Sequence, residues 1–86
     1  MRSLPAFSDM LSGLVGCPSV SSTVASLDQS NKAVIELLAD WCESIGMQVR
    51  LIPVDPGSKK WNLIATIGPG TGGLVLAGHS DTVPFD

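Results

Sequence analysis

A histidine and an aspartate stand two residues apart near the end of the sequence, in the stretch GGLVLAGHSDTVPFD. On an extended chain, residues i and i+2 point the same way with their Cα atoms about 6.5 Å apart, so the side chains of His79 and Asp81 can share one pocket. A metal-bound imidazole commonly donates its second N–H to a carboxylate, which fixes the tautomer and the orientation of the ring. The spacing therefore favours a metal site in which His79 is a ligand. Asp81 is then a catalytic residue that orients the imidazole, or a second group that approaches the metal.

The same spacing also fits a structural role without chemistry. A histidine at the end of a strand can hydrogen-bond to a carboxylate in the next turn and stabilise only that turn. In addition, a catalytic zinc ion takes about three protein ligands, whereas the sequence contains a single histidine. Spacing alone leaves both interpretations open.

Other motifs give weaker signals for chemistry. The glycine-rich stretch 68–73 lacks the Lys and Ser/Thr of a phosphate-binding P-loop and connects two predicted strands, which indicates a turn. Cys17 follows no basic residue that would favour its thiolate, so a nucleophilic role is disfavoured. Trp41 and Cys42 fall on the apolar side of a predicted helix, and Trp61 begins a predicted strand, so all three are expected to pack in the interior.

Composition narrows the function classes. Five Lys/Arg are scattered through a chain of net charge −3, which gives no basic face for nucleic acid. The longest uncharged stretch, 61–80, carries four Gly and one Pro within residues 68–73, so it does not form a membrane helix. No apolar leader segment precedes Asp9, and two cysteines without a motif are expected to be reduced thiols, which together predict a cytoplasmic protein.

The low charge also bears on domain organisation. Only 15% of the 86 residues are charged and the mean hydropathy is +0.33, compared with about 25% charged residues in typical domains. Surfaces this apolar are expected to face more protein. We therefore expect the chain to be the front part of something longer.

Periodicity predicts two helices followed by three strands. The first helix starts near Ser3 to Pro5 and ends at Gly16, and its apolar positions are Phe7, Met10, Leu11, Leu14 and Val15. The second is capped by Asp28 or Ser30 and closed by Gly46, with an apolar stripe of Val34, Leu37, Leu38, Trp41 and Ile45 that predicts packing on a sheet. Alternation predicts a hairpin from 47–54 and 61–67 around a turn at 55–60.

The last predicted element is a buried strand at 74–78, because an apolar run without a polar face is typical of a strand covered on both sides. The order α-α-β-β-β indicates an α/β or α+β fold with a mixed sheet. His79 then follows the carboxyl end of that strand, where functional groups collect in open α/β sheets.

The stretch LVLAGHSDTVPFD resembles a family of di-zinc amidohydrolases, in which an apolar strand ends in Gly-His-x-Asp, often followed by Val-Pro. The family includes aminoacylases, dipeptidases, desuccinylases and acetylornithine deacetylases. The stretches LDQSN at 27–31, LLADW at 37–41 and IPV at 52–54 resemble the acetylornithine deacetylase branch. The resemblance extends over essentially all 86 residues and implies the front part of a mixed-sheet zinc-peptidase catalytic domain.

The resemblance implies roles for two residues. His79 matches the family's first zinc ligand, and Asp81 matches the aspartate that orients this histidine. The family's remaining ligands, its general base and its lid domain, through which it dimerises, match no residues of this sequence. The implied chemistry of the complete enzyme is hydrolysis of the acetyl amide of N-acetylornithine, in arginine biosynthesis, by two zinc ions that cobalt can replace.

For the 86 residues alone, the resemblance implies weak zinc binding or none, no deacetylase activity, and self-association through exposed edges. Two alternatives remain. One is a sister amidohydrolase, such as a desuccinylase or a dipeptidase, and the other is a truncated, non-catalytic interaction module.

Overall fold

The computed structural model describes residues 4–57 and 59–84. Helices α1 (Phe7–Gly16) and α2 (Lys32–Ser44) precede strands β1 (Gln48–Pro53) and β2 (Trp61–Thr66). The predicted order is therefore confirmed for the first four elements. Ser3, one of the predicted starts of the first helix, lies outside the described residues.

Helix α1 leaves much of its predicted apolar stripe uncovered. Phe7, Leu11 and Val15 are 79%, 51% and 63% exposed, and no residue of the helix is buried. The helix meets α2 at Gly13, where a β-carbon would lie 3.4 Å from Cδ2 of Leu37. A glycine inside a helix costs about 1 kcal/mol relative to alanine, and α2 supports the helix at this position.

Neither of the predicted capping residues, Asp28 and Ser30, holds the N-cap position of α2. The N-cap position is held by Asn31, and its side chain makes no capping bond. Instead, Asn31 Oδ1 accepts a hydrogen bond from the Trp61 N–H at 2.8 Å, and Asn31 Nδ2 donates to the Trp61 carbonyl at 2.9 Å. An amide carries both a donor and an acceptor, so Asn31 can satisfy both backbone groups at the start of β2. Ser30 takes a smaller part, since its hydroxyl accepts from the Lys32 N–H at 3.1 Å.

The predicted end of α2 is confirmed at Gly46. This glycine has a φ of 90°, which costs a residue without a β-carbon little. Its N–H donates to the Glu43 carbonyl at 3.0 Å, and the Met47 N–H donates to the Cys42 carbonyl at 3.0 Å. These two bonds form a Schellman motif, which satisfies carbonyls that the end of the helix would otherwise leave unpaired.

The predicted hairpin is confirmed as an antiparallel pair of β1 and β2. Its register places Gln48 opposite Thr66, Leu51 opposite Leu63 and Pro53 opposite Trp61. Helix α2 packs on both strands, as its apolar stripe predicts. The buried apolar side chains of the described residues are Val34, Ile35 and Ala39 of α2, together with Val20.

The predicted third strand, 74–78, is wrong. The sheet of the described residues has two strands, and Leu74, Val75 and Leu76 are 84% to 88% exposed. Four glycines in 68–73 adopt positive φ, so the predicted turn forms, but no hydrogen-bonded ladder follows it. A strand that is apolar on both faces is stable when both faces are covered, and the described residues provide no such cover. The α/β class is therefore observed only as two helices on a two-stranded sheet.

Within the described ranges, no helix combines the length and the hydropathy that crossing a bilayer requires.

Candidate metal-ligand pair and its cleft

The structure brings the two predicted site residues together. Nδ1 of His79 lies 2.8 Å from Oδ1 of Asp81, with the two side chains 82% and 54% exposed. A carboxylate can only accept a hydrogen bond, so Nδ1 carries the proton in this contact. In the neutral imidazole, Nε2 then presents a free lone pair, which is the form that binds a metal ion.

The pair lies at the edge of a cleft of about 500 Å³. Its lining includes Ile35 and Leu38 of α2 and residues 60–63 around the start of β2. Residues 78–81 complete the rim. The cleft therefore combines an apolar floor with amide, hydroxyl, ammonium and imidazole groups, as small-molecule sites do.

The chain directly after the pair is fixed to a loop near the N-terminus. Thr82 forms an isolated parallel bridge with Val20. The Thr82 N–H donates to the Ser19 carbonyl and the Ser21 N–H donates to the Thr82 carbonyl, both at 3.0 Å. Ser19 and Val20 are both buried. Sequence analysis missed this contact because so short a bridge has no periodicity to detect.

A second set of bonds holds Val20 in turn. The Val20 N–H donates to Oε1 of Gln29 at 2.9 Å, and the Gln29 N–H donates to the Val20 carbonyl at 2.8 Å. Lys60, directly before β2, donates from Nζ to the carbonyls of Val20 at 3.3 Å and of Gln29 at 2.5 Å. The loop is thus attached to the hairpin as well as to Thr82.

Asp28 is the charged centre of this attachment. Its Oδ1 accepts from the Ser22 N–H at 3.0 Å and lies 3.0 Å from Nζ of Lys60, and its Oδ2 lies 3.3 Å from Nζ of Lys59. The Ser22 N–H and then the ammonium of Lys60 lower the pKa of Asp28 from 3.8 to about 2, with a smaller effect from Lys59. Desolvation opposes this shift because it disfavours the charged form.

The described residues do not form a complete metal site. No group of three or more His, Cys, Asp or Glu side chains within ranges 4–57 and 59–84 could hold a metal ion. The one imidazole present, His79, is oriented by a carboxylate as a metal ligand should be. The described residues therefore offer a metal ion one ligand, His79, together with the carboxylate that orients it.

The three residues that were predicted to pack in the interior, Trp41, Cys42 and Trp61, are each half-buried. Cys17 and Cys42 are half-buried free thiols. Trp41 is half-buried against Gly13. Trp61 does more than was expected, because its ring lies 5.7 Å from the Nζ of Lys32 and also lines the cleft.

The sequence is similar to part of several known proteins. No family model matches the chain. It is 50% identical over all 86 residues to the acetylornithine deacetylase of Pasteurella multocida, covering 22% of that protein. It is 52% and 54% identical, over 96% of its length, to the acetylornithine deacetylases of Proteus mirabilis and Vibrio vulnificus, covering 21% of each. Over these residues, the sequence is similar to the corresponding fifth of the acetylornithine deacetylases.

The predicted resemblance to acetylornithine deacetylases is thereby confirmed, while the chain spans about a fifth of the length of the curated relatives that it matches. The described residues of this segment form two helices, one hairpin and the His79–Asp81 pair.

Proposed function

We propose that these residues are the N-terminal part of the catalytic domain of an amide hydrolase, in which His79 binds one of two zinc ions. The observation that carries the proposal is the 2.8 Å contact between His79 and Asp81, because it directs Nε2 of the imidazole away from the carboxylate. The names of the relatives support hydrolysis as the reaction. The remaining ligands and the lid and dimerisation domain belong, in this proposal, to further polypeptide.

In the proposed site, the role of Asp81 is to keep the proton of His79 on Nδ1. That bond prevents the ring from flipping and raises the basicity of Nε2. When zinc is bound, it supplies an activated water and polarises the amide carbonyl. The described residues lack a complete set of ligands, so their contribution is one oriented imidazole at the rim of the cleft.

For the complete protein we propose hydrolysis of N-acetylornithine to ornithine and acetate, in arginine biosynthesis. The relatives' names favour this substrate over the succinylated or dipeptide substrates of sister enzymes. We further propose a cytoplasmic location, which suits the free thiols of Cys17 and Cys42. A homodimer is proposed for the complete enzyme.

The test is a hybrid enzyme in which this chain replaces the matching segment of the Pasteurella multocida deacetylase. Release of ornithine from N-acetylornithine is measured beside an N-succinylated amino acid and a dipeptide. We expect hydrolysis of N-acetylornithine above the other two substrates, and a loss of at least about 100-fold in kcat/KM for His79→Ala. Asp81→Asn is expected to lower kcat/KM by about 10- to 100-fold, since it weakens the orienting acceptor.

The matched control is Glu43→Ala, which removes an exposed side chain of α2 that does not line the cleft and leaves both residues of the pair in place. It should retain the hybrid's activity. Activity unchanged by His79→Ala would contradict the proposed role of His79, and preference for another substrate would favour a sister amidohydrolase. The 86-residue chain on its own, loaded with zinc, is expected to release no ornithine above its His79→Ala control.

A further inference from the structure

The orientation of the His79–Asp81 pair is not explained by what directly surrounds it. Both side chains are more than half exposed, and residues 74–78 before them form no strand or helix. A single hydrogen bond between two exposed side chains is worth little by itself. Something else must fix the backbone from which the pair projects.

The nearest fixed point on the chain is Thr82, one residue after Asp81. Its N–H and its carbonyl are both bonded to the loop at Ser19 and Ser21. That loop is not rigid by virtue of secondary structure, because residues 17–31 contain neither helix nor ladder strand. It is held because the side chain and the N–H of Gln29 bond to the two backbone groups of Val20.

We propose that Gln29 is a positioning residue for the metal-ligand pair. It fixes Val20, the loop around Val20 fixes Thr82, and Thr82 fixes the backbone on which Asp81 holds Nδ1 of His79. Gln29 itself lines no part of the cleft. It acts across about 50 residues of sequence, through three backbone hydrogen bonds and one that its side chain accepts.

The role rests on the proposed function, in which His79 must present Nε2 in a fixed direction. The physical reason is the burial of Val20, whose N–H has the Gln29 amide oxygen as its partner. A buried N–H that loses its acceptor is costly, so the loop is expected to open locally when that oxygen is removed.

The test compares Gln29→Leu, which removes the acceptor, with Gln29→Glu, which keeps an oxygen at the same reach. Amide hydrogen exchange at Ser21 and Thr82 is measured on the full chain, together with the ring-nitrogen shifts of His79. His79 is the only histidine, so its ring gives one set of signals. Amides of the β1–β2 pair report whether the fold persists, and Lys32→Ala is the control.

In Gln29→Leu, we expect exchange at Thr82 to rise about tenfold or more while the hairpin amides keep their protection. The His79 signals should then move toward a mixture of tautomers. Gln29→Glu should keep the exchange rate of Thr82 and the His79 signals of the wild type. A His79 spectrum unchanged in Gln29→Leu would overturn the proposal, whether or not Thr82 exchanges faster.

If Gln29→Leu also unfolds the hairpin, the deciding variant is Gln29→Ser, whose shorter side chain withdraws the acceptor without adding an apolar group. These readouts do not use activity. A hybrid enzyme inactive on N-acetylornithine would therefore refute the proposed reaction and leave the positioning result standing.

Discussion

Nζ of Lys60 and Oδ1 of Asp28 lie 3.0 Å apart, joining the residue before β2 to the loop that precedes α2. The same ammonium bonds to the carbonyls of Val20 and Gln29. One lysine therefore connects the hairpin to the loop whose backbone holds Thr82. This contact links residues 32 positions apart in sequence, and Lys60 also lines the cleft.

This ion pair predicts an acid-sensitive stability. The folded-state pKa of Asp28, about 2, is below its ordinary value of 3.8. The contribution of Asp28 to the free energy of unfolding is therefore fully present above about pH 4 and is lost as the pH falls toward 2, because the unfolded state takes up the proton first.

Urea denaturation of the wild type and Asp28→Asn across pH 2 to 6 checks this expectation. The difference between their free energies of unfolding should shrink as the pH falls from about 4 toward 2. The control Glu36→Gln breaks an exposed pair with Lys32, 3.8 Å long, and should show a much smaller pH-dependent difference. If the free energies of unfolding of the wild type and of Asp28→Asn differed by the same amount at every pH, the role of Asp28 would be contradicted.

Replacing Gly13 by alanine is expected to stabilise the fold, whereas replacing Asp28 is expected to destabilise it. A methyl group there would lie 3.4 Å from Leu37 Cδ2, at the edge of ordinary van der Waals contact. Alanine also favours a helix over glycine by about 1 kcal/mol. Gly13→Ala is therefore expected to raise the free energy of unfolding by up to about 1 kcal/mol in urea denaturation.

Gly46→Ala is its matched control. The same substitution at a φ of 90° puts a β-carbon in a left-handed backbone, so it should lower the free energy of unfolding by about 1 kcal/mol or more. Destabilisation by Gly13→Ala would show that the contact between α1 and α2 is too close for a methyl group.

The exposed segment 74–76 gives a prediction about association. Leu74, Val75 and Leu76 are 84% to 88% exposed, next to a two-stranded sheet. We propose that the isolated chain self-associates through this segment, because an apolar run with unpaired backbone groups recruits other strands.

Light scattering at rising protein concentration should show oligomers that Val75→Glu reduces. Thr71→Glu, which adds the same charge in the preceding exposed turn, should reduce them less. A monodisperse monomer for the wild type would rule out association through 74–76.

Local patterns in the sequence were sufficient for the elements that depend on local contacts. The apolar stripe of α2, its glycine stop at Gly46 and the alternation in β1 and β2 each have a period or a residue type that specifies a backbone conformation. The meeting of His79 and Asp81 was also predictable, because their spacing already places both side chains on one side of an extended chain.

The contacts that hold the pair could not be predicted in this way. Asp28 was expected to cap α2, yet two lysines 31 and 32 residues later and the Ser22 N–H take its carboxylate. The bridge between Val20 and Thr82 joins two segments without periodicity. Such contacts depend on which loops the fold brings together, and a single sequence gives no signal for that pairing.

The strand expected at 74–78 was wrong for a related reason. An apolar run indicates that a segment prefers to be covered, but it does not identify the residues that cover it. Among the described residues, neither face of this run is buried.

The most direct test of the central claim, that His79 offers Nε2 to a metal ion while Asp81 holds Nδ1, is a zinc titration of the chain followed by the ring-nitrogen signals of His79. The account predicts that the Nε2 signal shifts, at millimolar zinc because the described residues supply no full ligand set, while Nδ1 stays protonated. A shift at Nδ1 instead, or a zinc-free chain in which the ring proton sits on Nε2, would contradict it.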